Sequence, residues 1–292
     1  MSADASLLHI AEPGDRPFPG LDWRERLERL RALLAPMREV VVAYSGGVDS
    51  SLVLRVAHEV LGERAHGVIG RSDSYAAREL ALALEQAAAF GARVEVVATG
   101  ELSAPNFRAN SLARCYHCKT ELYRRLDLVA ERTGSTAVLD GTIADDLHDF
   151  RPGRRAAAEH RVRSPLAELG FGKSDVRAAA AHYGLSSQDK PASPCLASRI
   201  PYGTEITTEA LRMVEQAEDL VRSLGFRELR VRHHGEVARV ELPLADLDRA
   251  FSPVIREAIS DGLTALGFRF VTVDLAGLRS GSLNPKAPTD RV

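Results

Sequence analysis

Three cysteines, Cys115, Cys118 and Cys195, are the side chains in this chain best suited to covalent chemistry. Three is both sparse and odd for 292 residues, so reactive or metal-bound thiols are expected rather than a disulfide framework. Cys195 lies in a proline-braced stretch, Lys190-Pro191-Ala192-Ser193-Pro194-Cys195-Leu196-Ala197-Ser198-Arg199, between two cationic residues. Nearby positive charge lowers a thiol's pKa, and a thiolate attacks an acyl-adenylate readily because AMP leaves well. An inert buried thiol is the plainer alternative. Cys115-Tyr116-His117-Cys118 puts two sulfurs on one side of a helical turn or tight loop. That spacing supports three readings. One is a dithiol redox pair, though thioredoxin-like surroundings are missing. Another is zinc held by Cys115, Cys118, Cys195 and either His117 or His148. The third is an iron–sulfur cluster on all three cysteines, which would leave one iron of a cubane open to a sulfide or substrate atom.

The segment Val40 to Ser51 carries a second chemistry. An apolar run, Val40–Tyr44, stops at Ser45-Gly46-Gly47, and Asp49-Ser50 opens an amphipathic stretch, Leu52 to Leu61. Strand, glycine turn and helix start make a phosphate site: two glycines let backbone N–H groups turn onto an anion, and the helix start adds partial positive charge. No Gly-Lys-Ser/Thr follows, so this is not a Walker loop. Ser-Gly-Gly-x-Asp-Ser resembles the PP-loop of ATP pyrophosphatases, which implies cleavage of ATP between the α and β phosphates and activation of a substrate with AMP. Asp49 could orient a pyrophosphate–Mg²⁺ complex or cap the helix.

These groups need a scaffold. Helices are expected at Trp23 to Leu34, Tyr75–Phe90 and Lys119–Arg132, with strands at Ala65–Ile69, Arg93–Ala98 and Thr136–Leu139. Strands separated by helices indicate a parallel, doubly wound α/β sheet, with ligands beyond the carboxyl ends of its strands. A short helix at Ser174–Tyr183 precedes the cysteine loop. After Tyr202-Gly203 the pattern becomes αββαβ: helix Thr208–Leu224, paired strands Glu228–Arg232 and Val237–Leu242 around His234-Gly235, a mostly helical Leu244–Leu266 interrupted at Pro253, and strand Phe268–Leu275. The expected organisation is a tail at 1–20, an α/β domain at 21–204, a smaller α+β domain at 205–279 and a tail at 280–292. Arg230 and Arg232 alternate on one strand face and suit a substrate phosphate, against the plain alternative of an exposed charged face. Glu218, Glu241 and Asp248 are weaker candidates for a second metal site.

Composition narrows the classes. Hydrophobic residues make up 45% of the chain, ample for a core. The net charge of -2 gives no whole-chain case for nucleic acid. No apolar run reaches membrane-span length, and the proline-rich, acidic start lacks the features of a signal peptide, so a cytoplasmic location is expected.

Four blocks together resemble the LarE family: Asp140-Gly141-Thr142-Ile143-Ala144-Asp145-Asp146, Arg151-Pro152-Gly153, Arg163-Ser164-Pro165-Leu166, and Lys190 to Gly203 around Pro194-Cys195-Leu196-Ala197-Ser198-Arg199. The similarity runs from about residue 23 to about 275. It departs at Ile143, where asparagine is expected. The resemblance implies a PP-loop (HUP-like) α/β domain with a small C-terminal domain. It also implies an ATP-dependent sulfur transferase of nickel-pincer cofactor biosynthesis, working on a pyridinium mononucleotide with two carboxylates. ATP and Mg²⁺ would adenylate a carboxylate at Ser45, Gly46, Gly47, Asp49 and Ser50, and sulfur would replace the AMP. Arg199, Arg230 and Arg232 would bind the nucleotide substrate. In one version of the family Cys195 gives up its own sulfur; in the other, Cys115, Cys118 and Cys195 hold a [4Fe-4S] cluster. Three cysteines with none spare favour the cluster version. The family also implies a homo-oligomer, and the cluster version a sulfide donor. tRNA thiolation and a non-enzymatic nucleotide module with structural zinc are the rival readings.

Overall fold

The β-branched run Val40–Ala43 forms the central strand (β1) of a four-stranded parallel sheet in the computed structural model, which describes residues 17–147, 152–191, 193–279 and 281–283. The other strands are β2 (Ala65–Arg71), β3 (Val94–Ala98) and β4 (Ala137–Leu139), in the order β3-β2-β1-β4. β1 runs parallel to both neighbours, with Val40 opposite Ala65 on one side and Ala137 on the other. A single bridge from Leu139 to Arg163 continues the sheet beyond β4. The chain divides into two units. The first comprises the described residues up to Gly70, Arg78–Thr99 and Lys119–Lys190; the second comprises Arg71–Ala77, Gly100–Cys118 and those from Pro191 on.

In the first unit the helices Trp23–Leu34, Val48–Leu61 and Lys173–His182 pack on one another. Leu27, Leu30 and Leu34 recur at helical spacing and are buried. Each such leucine contributes about 1.5–3 kcal/mol through the area it removes from water. Asp22 starts the first of these helices: its side chain accepts from the N–H groups of Arg24 and Glu25, and Glu25 answers at the Asp22 N–H. Among the described residues no helix is long and apolar enough to cross a membrane.

The second unit holds a three-stranded sheet, β5 (Arg230–His234), β6 (Val237–Glu241) and β7 (Phe270–Val273), in that order. β5 and β6 are antiparallel, whereas β6 and β7 are parallel, as a helical crossover requires. The hairpin strand begins at Arg230, two residues later than the sequence pattern suggested. Its two-residue turn centres on Gly235 (φ 64°) and Glu236, which carries pairing out to His234 and Val237. Pro253 divides the following segment into helices Leu247–Phe251 and Pro253–Ala265, as expected.

The helix Thr208–Ser223 serves two cores of this unit. Ala217 and Val221 join Phe226, Val231, Val240 and Phe268, while Leu211 and Val214 join Phe107, Leu196, Ala197, Ile200 and Ile206. Cys118 and Cys195 pack against the second of these cores.

One sequence expectation needs correction. The helix expected at Lys119–Arg132 begins at Arg114 and runs to Thr133, so Cys115 to Cys118 forms its first turn rather than a loop. Residues 143–168 contain short turns of helix, Ala144–Leu147, Gly153–Glu159 and Pro165–Glu168, too brief to leave a periodic signature. Arg151, His148 and Ala192 lie outside the described residues.

Candidate active site

The Ser45–Ser50 loop in the first unit is built by absences of side chain. Gly46 has φ 67°, and a Cβ there would stand 2.5 Å from that of Ala83. Gly47 precedes the helix Val48–Leu61 in extended conformation with no side-chain cap. Ser50 Oγ accepts from the Ser45 N–H at 3.1 Å, lies 3.1 Å from Ser45 Oγ and donates to the Gly47 carbonyl at 3.2 Å, closing the loop on itself. The helix Ala77–Ala89 braces it: Tyr44 donates to the Ala83 carbonyl at 2.8 Å, and the Gln86 amide donates to Tyr44 Oη and Ser51 Oγ. Burial raises the Tyr44 pKa, partly offset by the Gln86 bond.

Asp49 caps nothing. Its carboxylate receives Lys173 Nζ at 2.9 and 2.8 Å. Lys173, at the start of Lys173–His182, therefore belongs to the site, although the sequence reading passed over it. Lys190 Nζ pairs with Glu79 at 2.6 Å and lies 3.5 Å from the Gly46 carbonyl. From the other side, Gly141 presses on the helix start: a Cβ there would be 2.6 Å from the Ser50 nitrogen. Asp140 holds that turn, accepting from Tyr123 Oη, the Thr142 N–H, Thr142 Oγ1 and Ser164 Oγ at 2.7–3.2 Å. Burial pushes the Tyr123 pKa up to about 12. Ile143 is buried, and its N–H donates to Asp146 at 3.3 Å, so the turn keeps its backbone with an apolar side chain in that place.

All three cysteines fall in the second unit, and none forms a disulfide. Cys115 is exposed; Cys118 and Cys195 are part-buried. The Cys195 pKa is raised, contrary to the lowering expected from its flanking cations. Burial is the largest cause; Arg114 opposes it, Cys115 adds to it, and the Ser198 N–H and Arg199 oppose it more weakly. Lys190 spends its charge on Glu79. Arg199 is buried and forks onto Glu218 at 2.8 and 3.1 Å, while its Nη1 donates to the Pro194 and Cys195 carbonyls and to Ser198 Oγ. It therefore pins the cysteine loop.

Asn110 ties that loop to the Cys115 helix. Fully buried at φ 50°, it donates through Nδ2 to the carbonyls of Ile200, Pro201 and Thr204 and accepts from Arg114 Nη1 at 2.7 Å. Among the described residues, no group of three or more His, Cys, Asp or Glu is arranged to hold a metal ion. The three cysteines nonetheless share one neighbourhood: Cys118 and Cys195 pack on one core, and Cys195 feels the charge of Cys115. An all-thiol set of this kind fits the chemistry of an iron–sulfur cubane, whose ligands stand further apart than those of one ion.

Arg230 and Arg232 lie on β5 as expected. Arg232 is buried and donates to Glu241, Ser282 and the Ser198 carbonyl. Arg230 is half-buried, and its one hydrogen bond among the described residues goes to the Arg279 carbonyl at 3.1 Å. Burial, then the charges of Arg232 and Arg199, lower its pKa, so an anion would relieve it. Glu218 and Glu241 are buried with both oxygens engaged: Glu218 by Arg199, Arg222 and the Val231 N–H, Glu241 by Arg232, Arg239 and Ser282. Asp248 is exposed on a short helix.

No family model matches the chain. It is 44% identical over 259 residues to an uncharacterized protein of Synechocystis, covering 89% of this chain and 97% of that one. It is 41% identical over 256 residues to pyridinium-3,5-bisthiocarboxylic acid mononucleotide synthase of Lactiplantibacillus plantarum, covering 87% and 92%. A tRNA-specific 2-thiouridylase of Xanthobacter autotrophicus is 31% identical over 193 residues, which is 53% of this chain and 49% of that protein.

Proposed function

This chain belongs to the LarE family, and on that premise we propose that it is a cytoplasmic, homo-oligomeric, ATP-dependent sulfur transferase of nickel-pincer cofactor biosynthesis. Its substrate is a pyridinium mononucleotide bearing two carboxylates, and its product a thiocarboxylate. The observation that carries the reading is 41% identity across 92% of a synthase named for the bisthiocarboxylic acid mononucleotide.

In the first step a substrate carboxylate oxygen attacks the α-phosphorus of ATP and pyrophosphate leaves. The turned N–H groups of Gly46 to Ser50 receive that pyrophosphate. Lys173 moves its ammonium from Asp49 to a phosphate oxygen, freeing Asp49 for Mg²⁺. Arg230 takes the substrate phosphate. Sulfur then adds to the acyl carbon, and AMP departs.

Cys115, Cys118 and Cys195 would hold a [4Fe-4S] cluster, which when bound would supply the sulfur. Support comes from three cysteines in one unit, none of them in a disulfide. The raised Cys195 pKa also weighs against this thiol acting alone as a ready nucleophile.

Anaerobic reconstitution with iron and sulfide is the test. The expected result is a visible iron–sulfur absorbance, multiple turnovers, and loss of both in Cys115→Ala. Activity surviving in Cys115→Ala with no absorbance, one turnover per chain and a mass loss of one H₂S at Cys195 would replace the cluster with the sacrificial cysteine. Strongly salt-dependent tRNA binding would favour the thiouridylase reading.

A further inference from the structure

We infer that Arg114 is a substrate-positioning residue whose open guanidinium edge receives a carboxylate of the pyridinium substrate beside the cysteines; this rests on the function proposed above. Arg114 is only 5% exposed. Its protein partners are all uncharged: Nη1 donates to Asn110 Oδ1 at 2.7 Å and to the Ala197 carbonyl at 3.0 Å, and the Tyr202 ring lies 5.2 Å from the guanidinium. No carboxylate pairs with it among the described residues. A guanidinium this far out of water costs free energy unless a negative charge compensates it. Arg199 and Arg232, equally buried in the same unit, have Glu218 and Glu241 for that purpose.

Nε and Nη2 of Arg114 make no bond to any described residue, and neither is among the buried nitrogens that lack a partner. They therefore form an edge that a ligand can reach. Those two nitrogens form the planar fork that matches a carboxylate with two parallel hydrogen bonds. A hydrosulfide, with a single acceptor atom, does not match that fork.

Position adds to the case. Arg114 adjoins Cys115 in the chain, and its bond to the Ala197 carbonyl sets it two residues from Cys195. It also opens a 20-residue helix, so the positive end of the helix dipole lies at the same place. The substrate phosphate has its own receptor in Arg230. Arg114 is thus left for the end of the molecule where sulfur is exchanged. Asn110, locked to three carbonyls of the cysteine loop, sets the direction of the fork.

The experiment is equilibrium binding, without ATP and without turnover, to wild type, Arg114→Lys and Arg114→Gln. The two ligands are the pyridinium-3,5-biscarboxylate mononucleotide and nicotinamide mononucleotide, which has a similar ring, ribose and phosphate but no carboxylate. Arg114→Gln should weaken the biscarboxylate by about 10- to 100-fold, the range for hydrogen bonds to a charged group. Arg114→Lys, which keeps charge but loses the fork, should weaken it less, and binding of the carboxylate-free ligand should be unchanged in both. Thermal unfolding checks that each variant is folded; if Arg114→Gln is not, Arg114→Lys alone decides. Equal loss for both ligands would make Arg114 structural and overturn the inference, as would no loss for either. A wild-type chain that binds neither ligand would overturn the proposed function itself, and the inference with it.

Discussion

The two units position their reactive groups by opposite means. In the first, the phosphate loop takes its shape from what is missing: Gly46 and Gly141 sit where any Cβ would strike a neighbour at 2.5–2.6 Å. In the second, cysteines and arginines are placed by what is present, a set of buried ion pairs through Glu218 and Glu241. Backbone placement turns N–H groups toward one side of a loop, whereas ion-pair placement fixes guanidiniums and the segments they hold.

The contrast breaks most sharply at the charges. Glu218→Ala strands Arg199 as a buried cation and should cost about 3–5 kcal/mol, read as a lowered urea midpoint with hydrogen exchange rising in the second unit. A loss under 1 kcal/mol would mean that those charges are not placing the loop. Gly141→Val comes next. Its side chain must displace the Ser50 nitrogen, and a shift of about 1 Å should cut pyrophosphate release roughly 100-fold. Alkylation rates of the cysteines should stay as in the wild type, and a changed rate would undo the division of labour.

pH separates the units with opposite signs. His233 and His234 of the second unit have pKa values lowered from 6.5, chiefly by burial. The unfolded chain then binds more protons, so their stabilisation is complete above 6.5 and is lost as pH falls through the lowered values. Tyr123 and Tyr183 of the first unit are raised to about 12, again chiefly by burial. Their stabilisation is complete below pH 10 and is lost as pH rises toward 12. Hydrogen exchange should therefore rise in the second unit as pH falls below 6.5, and in the first as pH rises above 10; an unchanged rate in either case would refute this. The smallest effect is Thr207→Ala, which removes the cap on the Ala210 N–H and should cost about 1 kcal/mol in thermal unfolding.

The same contrast explains what could be read from the chain alone. The strand–turn–helix at Val40–Leu61 was legible because strand, glycines and helix start are contiguous. Lys173 was not, because Asp49 lies 124 positions away and only the fold joins them. The α/β and α+β classes followed from periodicity, but the start of the Cys115 helix did not: Arg114 and Asn110 fix it through partners in the Cys195 loop. The pKa direction at Cys195 was misread for a similar reason. Flanking Lys190 and Arg199 are visible in sequence; the burial that outweighs them, and the Glu79 and Glu218 that claim them, are not.

One carboxylate oxygen deserves a last consequence. Glu218 Oε1 accepts both from Arg199 Nε, at the foot of the thiol loop, and from the Val231 N–H, between Arg230 and Arg232. Loop and strand are thus clamped to a common jaw. A molecule reaching from one to the other meets a caliper with a fixed opening, and analogues a bond longer or shorter should be rejected by reach rather than by chemistry.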